Sequence, residues 1–228
     1  FHLPHSRKLT FGMIKKKRQL YVGLDPVNFK TTESLTHLPL IKIVPTSFKK
    51  VKQDLVQFTC FTHIIITSKS TVSLLLGYLK KLKISLKEWQ TKTVIAVGKG
   101  TRQELIKNHI DVAVTAKEET SEGIIIELKK LNLEGAYFFW PHSTLSRPLI
   151  RNFFLGQQLR FKECLLYHTT TATPSFLPCL EEFEEIIFTS PSTIDAFLQI
   201  FGSLPQNKTL TTLGPVTALH LKKIVFPS

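Results

Sequence analysis

Ile65-Ile66-Thr67-Ser68-Lys69-Ser70-Thr71-Val72 and, 122 positions later, Ile187-Phe188-Thr189-Ser190-Pro191-Ser192-Thr193-Ile194 follow one pattern: an apolar run, a hydroxyl-rich turn, an apolar restart. The run has the length and β-branching of a buried strand, and the turn carries Ser or Thr where a helix takes its N-cap. A second pair, Val97-Gly98-Lys99-Gly100-Thr101 and Leu213-Gly214-Pro215-Val216-Thr217, is offset by 116. Spacing kept to within six residues marks an internal duplication, which predicts two domains of one fold.

Working outward, the same alternation runs through the middle of the chain. His63–Ile66, Thr93–Val97, Val112–Val114 and Ala136–Trp140 read as strands. Helices are expected over Val72–Leu82, from Thr101 to about Asn108, up to Leu131, and over Leu145–Gly156. Strands alternating with helices of this length signal βαβ units around a parallel sheet, so the class is α/β. After residue 184 come a strand at Glu185–Phe188, a helix over Ile194–Phe201, a strand at Leu210–Leu213 and a helix ending at Lys223. Ile224-Val225-Phe226 looks strand-like. Two stretches, near 38–45 and 164–174, are Thr- or Pro-rich and extended, and they read as connectors. The chain is therefore expected to enter the middle domain once and leave it once. The strand Leu20–Leu24 joins the C-terminal part. The expected division is a basic tail over 1–18, a discontinuous domain of 19–43 plus 172–228, and a middle domain of 44–171.

Charge fits that division. The 228 residues hold 30 Lys and Arg against 17 Asp and Glu, a formal +13. Six of the cations (Arg7, Lys8, Lys15, Lys16, Lys17 and Arg18) lie in the first 18 positions, around the single methionine, Met13. Translation is expected to start at Met13, leaving the tail disordered or foreign to the natural chain. Residues 46–165 hold 19 basic and 10 acidic side chains, a surplus of +9, while the flanking pieces are slightly acidic. Glu181, Glu182, Glu184 and Glu185 read as a solvated acidic face. A hydrophobic share of 43% supports a real core, and no apolar run reaches the roughly 18 residues of a membrane span. The three cysteines, Cys60, Cys164 and Cys179, are too scattered for a disulfide framework or zinc site and fit a reducing cytoplasm. Phosphate-binding glycine loops are absent, the eight histidines lack metal-ligand spacing, and nucleic-acid binding rests on charge alone.

In a parallel α/β sheet, ligands bind beyond the carboxyl ends of the strands, where helix N-termini offer free N–H groups and a positive dipole end. Six turns qualify: Thr67–Thr71, Gly98–Thr101, Thr120–Gly123, Pro141–Thr144, Ser190–Thr193 and Gly214–Thr217. Any one is an ordinary cap; the repeated set points to an anionic ligand.

Ile66-Thr67-Ser68, Val97-Gly98 with Thr101, Glu163 with Tyr167-His168-Thr169, Phe188-Thr189-Ser190-Pro191-Ser192, and Leu213-Gly214-Pro215 with Thr217-Ala218 together resemble the uroporphyrinogen-III synthase family, across about residues 20–223. The resemblance implies two similar α/β domains, each a parallel sheet flanked by helices (the HemD-like arrangement), joined by a two-stranded β connector with the active site in the cleft between. It also implies a cytoplasmic hydro-lyase of haem biosynthesis that cyclises hydroxymethylbilane, with inversion of ring D and loss of water, and needs neither metal nor organic cofactor. Its substrate, with roughly eight carboxylates, suits a basic cleft. By the same resemblance Tyr167 is the catalytic residue, the acid or hydrogen-bond donor at the departing hydroxyl. Ser68, Gly98, Thr101, Ser190, Ser192, Gly214 and Thr217 bind substrate. Lys69, Lys99, His142, Ser143 and Arg147 are chosen by location alone, and a solvated surface explains them equally well. The chain departs from the family in Leu24-Asp25-Pro26, which leaves the first helix shortened or absent. A non-catalytic two-domain binder of a small anion is the alternative; a nucleic-acid module ranks third. A monomer without membrane or nucleic-acid partners is the expectation.

Overall fold

The computed structural model describes residues 16–27 and 29–226. It divides into two compact units: one comprises the chain up to Ile41 and again from Thr171, the other Lys42–Thr170. The chain runs through β1 (Arg18–Tyr21), β2 (Ser34–His37) and β3 (Ile41–Pro45). Next come α1 (Phe48–Leu55), β4 (His63–Ile66), α2 (Lys69–Lys81), α3 (Lys87–Gln90) and β5 (Thr93–Ala96). They are followed by α4 (Lys99–Lys107), β6 (Val114–Thr115), α5 (Ser121–Leu128), β7 (Tyr137–Ser143), α6 (Leu149–Gly156) and β8 (Arg160–Thr171). The last elements are β9 (Glu185–Phe188), α7 (Pro191–Phe201), β10 (Thr209–Thr212) and α8 (Pro215–Val225).

In the second unit the sheet order is β3-β8-β7-β4-β5-β6. β8, β7, β4, β5 and β6 pair in parallel. Both faces are covered, which is why His63-Ile64-Ile65-Ile66 has no polar alternation. Ile64 and Ile66 enter one core with Val94, Leu105 and Phe139, and Ile65 enters the other with Ile95, Phe138 and Trp140. Successive side chains of a strand point to opposite faces, so a run of three isoleucines serves two cores. Truncating any of these fully buried side chains to Ala costs about 2–5 kcal/mol. Thr46 N–H donates to the Leu166 carbonyl (2.9 Å) and Ala172 N–H to that of Leu40 (2.8 Å). Numbers rise along one segment as they fall along the other, so β3 and β8 run antiparallel as a two-stranded connector.

The first unit has four strands in the order β10-β9-β1-β2, all parallel. Leu20, Val22, Ile186 and Phe188 of the sheet pack on Ile194 and Phe197 of α7.

Several expectations need correcting. Residues 1–15 of the proposed tail, with Met13, lie outside the described residues. The end of the 1–18 segment is not a tail: Lys17 N–H donates to Glu33 (2.5 Å), and Arg18 opens β1, its guanidinium bonded to Glu182 (2.7 Å). In the acidic cluster Glu181, Glu182 and Glu184 are exposed, as a solvated face requires, and only Glu185 departs from that reading. Glu185 is buried, held by Gln19, Thr211 and Lys17, and Glu184 accepts from Arg18 N–H. Cations assigned to a tail pair with carboxylates 164 and 168 residues away, Arg18 with Glu182 and Lys17 with Glu185, a pairing only strand register creates. β2 was not anticipated; no helix occurs among the described residues between it and β1. The 164–174 stretch is extended as expected up to Thr171, but its strand is longer: β8 begins at Arg160 and lies between β3 and β7 in the second unit's sheet. Conversely, β7 continues to Ser143 and α6 starts only at Leu149. Ile224 and Val225 end α8 and form no strand: Ile224 completes the helix's apolar face against the first unit's core.

Candidate functional site

Ser68 follows β4 in extended conformation (φ −160°, ψ 157°) and caps α2, accepting from Thr71 N–H at 3.1 Å. Ser190 takes the same extended conformation after β9 (φ −158°, ψ 161°), with Pro191 at the first helical position. Gly98 and Gly214 cap α4 and α8, again in extended backbone, and each is followed at the third helical position by a nearly buried Thr, Thr101 or Thr217. The duplication thus reappears as two helix starts per unit, all at carboxyl ends of parallel strands.

In the second unit, Tyr167 reaches this edge from β8. Its hydroxyl lies 3.0 Å from Ser68 Oγ, which lies 2.9 Å from Thr71 Oγ1. A β-bulge aims it. β7 and β8 pair residue for residue up to His142 and Leu165, and then Ser143 pairs with Tyr167, so Leu166 is the extra residue. In a regular strand Leu166 and Tyr167 would face opposite ways. Here Cys164, Leu166 and Tyr167 all enter the same core, and Tyr167 is only 7% exposed. The bulge turns the phenol onto the α2 face.

The start of α4 is already occupied. Lys99 N–H donates to the Glu119 carboxylate at 2.9 Å. That side chain sits where a Cβ on residue 98 would go, 2.3 Å from Glu119 Cδ, so glycine serves here for room and not for φ. A carboxylate on free N–H groups is what this turn was expected to bind, and the protein supplies one itself. Lys69 and Lys99 are exposed at the same edge, and the Lys69 stem runs close over Gly100.

His142 and Ser143 belong to β7 and not to a helix start. His142 stacks on Trp140 (centroids 4.3 Å), donates from Nδ1 to the Ser143 carbonyl (2.8 Å) and sets Nε2 3.5 Å from Glu163 Oε1. Ser143 Oγ accepts from Leu145 N–H at 3.3 Å, capping the turn that follows. Arg147 is engaged: it forms a bidentate pair with Glu122 on α5, Nη1 2.6 Å from Oε1. That hydrogen bond holds the Glu122 carboxyl below the ordinary carboxylate range and pushes the guanidinium up.

In the first unit an acidic side chain, Asp25, follows β1, its carboxylate accepting from Val27 N–H at 2.9 Å. Neither α7 nor α8 carries an acidic residue in its first turn. Thr193 Oγ1 accepts from the N–H groups of Thr189 and Ser190 and donates to the Ser190 carbonyl (2.6 Å). Ser190 Oγ and Ser192 Oγ lie 2.9 Å apart, two hydroxyls at the mouth of one helix.

Thr71, Glu119 and Glu122 were absent from the expected set. Thr71 was visible as the third residue after an N-cap serine; no local signal marked the two glutamates, whose partners lie 20 and 25 residues away.

Comparison with known proteins gives the same picture. Over 201 residues the chain is 25% identical to uroporphyrinogen-III synthase of Chlorobaculum parvum, covering 82% of this chain and 78% of that one. The fold matches a mutant uroporphyrinogen III synthase of Thermus thermophilus with a TM-score of 0.65 at 14% identity, over 92% of this chain and 89% of that one. For the Helicobacter pylori uroporphyrinogen-III synthetase the TM-score is 0.63 at 22% identity, over 93% and 91%. The family model described as uroporphyrinogen-III synthase HemD matches residues 32–228, and with nearly the whole chain inside it, this chain belongs to the uroporphyrinogen-III synthase family.

Proposed function

We propose that the chain is a cyclising lyase that converts hydroxymethylbilane to uroporphyrinogen III, inverting ring D and releasing water. The observation that carries this reading is the family match over residues 32–228, together with a tyrosine hydroxyl turned by a bulge to the carboxyl edge of a parallel sheet. Tyr167 donates its proton to the terminal hydroxyl as the C–O bond breaks. A phenol is a weak acid near neutrality, so the electron-rich pyrrole supplies most of the push and the protein mainly positions the chain. Ser190 and Ser192, with the starts of α7 and α8 beside Gly214 and Thr217, receive propionate or acetate groups; first turns that hold no acidic residue favour this. Lys69 and Lys99 add cationic side chains at the other edge. Thr101 and Thr217 shape the first turns from their buried positions. His142, Ser143 and Arg147 support the strand end and the α5 start without touching substrate. The protein works as a monomer in the cytoplasm, where Cys60, Cys164 and Cys179 stay as the free thiols they are here.

The test supplies fresh hydroxymethylbilane, oxidises the products and separates the uroporphyrin isomers. Isomer III in large excess is the expected result. Isomer I alone, as in a reaction without protein, overturns the proposal and leaves a non-catalytic anion binder.

A further inference from the structure

Thr71 is fully buried, and the one recorded partner of its hydroxyl among the described residues is Ser68 Oγ at 2.9 Å. A buried hydroxyl with no acceptor for its proton costs about 1–3 kcal/mol, so Thr71 O–H donates to Ser68. Thr71 N–H donates to the same oxygen at 3.1 Å. A serine hydroxyl has two lone pairs and one proton. With both lone pairs of Ser68 accepting from Thr71, its proton goes to its remaining neighbour, Tyr167 Oη at 3.0 Å. The phenol oxygen is thus an acceptor on its inner side, and its own proton points away from Ser68.

We infer that Ser68 is a positioning residue for Tyr167: it fixes the phenol's rotor so that the proton faces substrate, and it holds the charge that grows on the phenol oxygen as that proton leaves. The inference rests on the synthase reading above. As the C–O bond of the terminal hydroxymethyl group breaks, its electron pair leaves with the oxygen, which takes the Tyr167 proton and departs as water. The pyrrole nitrogen's lone pair fills the gap at the methylene carbon. The phenolate keeps its bond from Ser68 O–H while ring D inverts through a spiro intermediate, one carbon–carbon bond forming and another breaking, and while the last carbon–carbon bond closes the macrocycle; the carbon attacked in that closure then loses its proton to Tyr167, which restores the pyrrole's aromaticity. Donors arranged in series, Thr71 to Ser68 to Tyr167, strengthen one another, and the series begins at the positive end of α2.

The duplicate turn is an internal control. At Ser190 the threonine hydroxyl donates to a carbonyl instead, and the serine meets Ser192, with no tyrosine in the network. The same cap therefore does not by itself create such a chain.

Ser68→Gly removes the hydroxyl yet keeps a residue that already caps α4 and α8 in extended backbone. Its kcat is expected to fall about tenfold with KM within about twofold, while Ser68→Thr recovers turnover to within about threefold. In a Tyr167→Phe background the same Ser68→Gly change should alter kcat less than about twofold, because the group it acts through is gone. Ser68→Asp is the second variant: it keeps the cap but accepts only, turns the phenol proton inward and should lower kcat at least as far as glycine does. Wild-type protein making no isomer III would sink the synthase reading. Active wild type with Ser68→Gly and Ser68→Asp both within about twofold in kcat, or with equal losses in the Tyr167 and Phe backgrounds, overturns the positioning role.

Discussion

Tyr167, Glu185 and Arg147 show how far a residue's surroundings decide its work. In the proposed role, Tyr167 is the acid at the departing hydroxyl and Tyr167→Phe removes it; turnover should fall about 100-fold, with isomer I rising as spontaneous closure competes, read from rates and isomer ratios together. Glu185 is held by burial that raises its carboxyl pKa, and by Thr211, Gln19 and Lys17, which together outweigh that and bring it below the ordinary range. A lowered folded pKa means stability present above the unfolded carboxylate value and lost as pH falls through the folded one. Glu185→Gln should therefore cost about 1–3 kcal/mol at pH 7 and less at pH 3, in urea unfolding at both pH values. The Arg147–Glu122 pair has the same sign, but its side chains are 40% and 49% exposed. Solvent screening keeps its worth below about 1 kcal/mol, and Arg147→Ala should leave KM for substrate within about twofold, because that guanidinium is already spoken for.

At the scale of elements, the helix ends carry an unusual choice. α2, α4 and α6 close with a backbone bond reaching back five residues, Ile84 to Leu79, Ile110 to Leu105 and Leu159 to Phe154. Each closure needs a left-handed residue just before the apolar one. Here these are Lys83 (φ 58°), His109 (φ 59°) and Gln158 (φ 53°), where α7 uses Gly202 (φ 82°). A side chain in that region costs on the order of 1 kcal/mol that glycine does not incur. Lys83→Gly and Gln158→Gly should each raise the thermal midpoint by about 2–4 °C without changing turnover, as followed by circular dichroism and by the isomer assay.

For the molecule as a whole, the charge pattern now has a partial structural account. Lys162, Arg147, Arg151 and Lys130 pair with Asp54, Glu122, Glu163 and Glu127 of the same segment, so these pairs leave its net surplus of +9 intact, to be carried by other cations. Lys69 and Lys99 carry no such partner among the described residues and stand at the carboxyl edge. A polycarboxylate drawn by such a surface binds through screened Coulomb forces. Raising NaCl from about 50 to 500 mM should therefore raise KM about fivefold or more while leaving kcat nearly constant, because Tyr167, the proposed acid, is buried and shielded from salt.

The order of strands, turns and helices was legible in the sequence because each depends on neighbours three or four positions away: Ser68 and Thr71, Ser190 and Thr193, Gly98 and Thr101. Tyr167 was named from the resemblance; nothing local to Cys164–Pro174 distinguished a functional phenol from a packing ring. Its aim was settled by one extra residue, Leu166, in the pairing of two strands. The occupied α4 start, the engaged Arg147 and the Glu185 network likewise depend on partners tens of residues or more away in the chain. Local patterning determined which turns could face an anion. Only sheet register and packing decided which of those turns the protein fills with its own carboxylates, and which phenol it sets against the Ser68 cap, because contacts between distant residues exist only once the sheets are assembled.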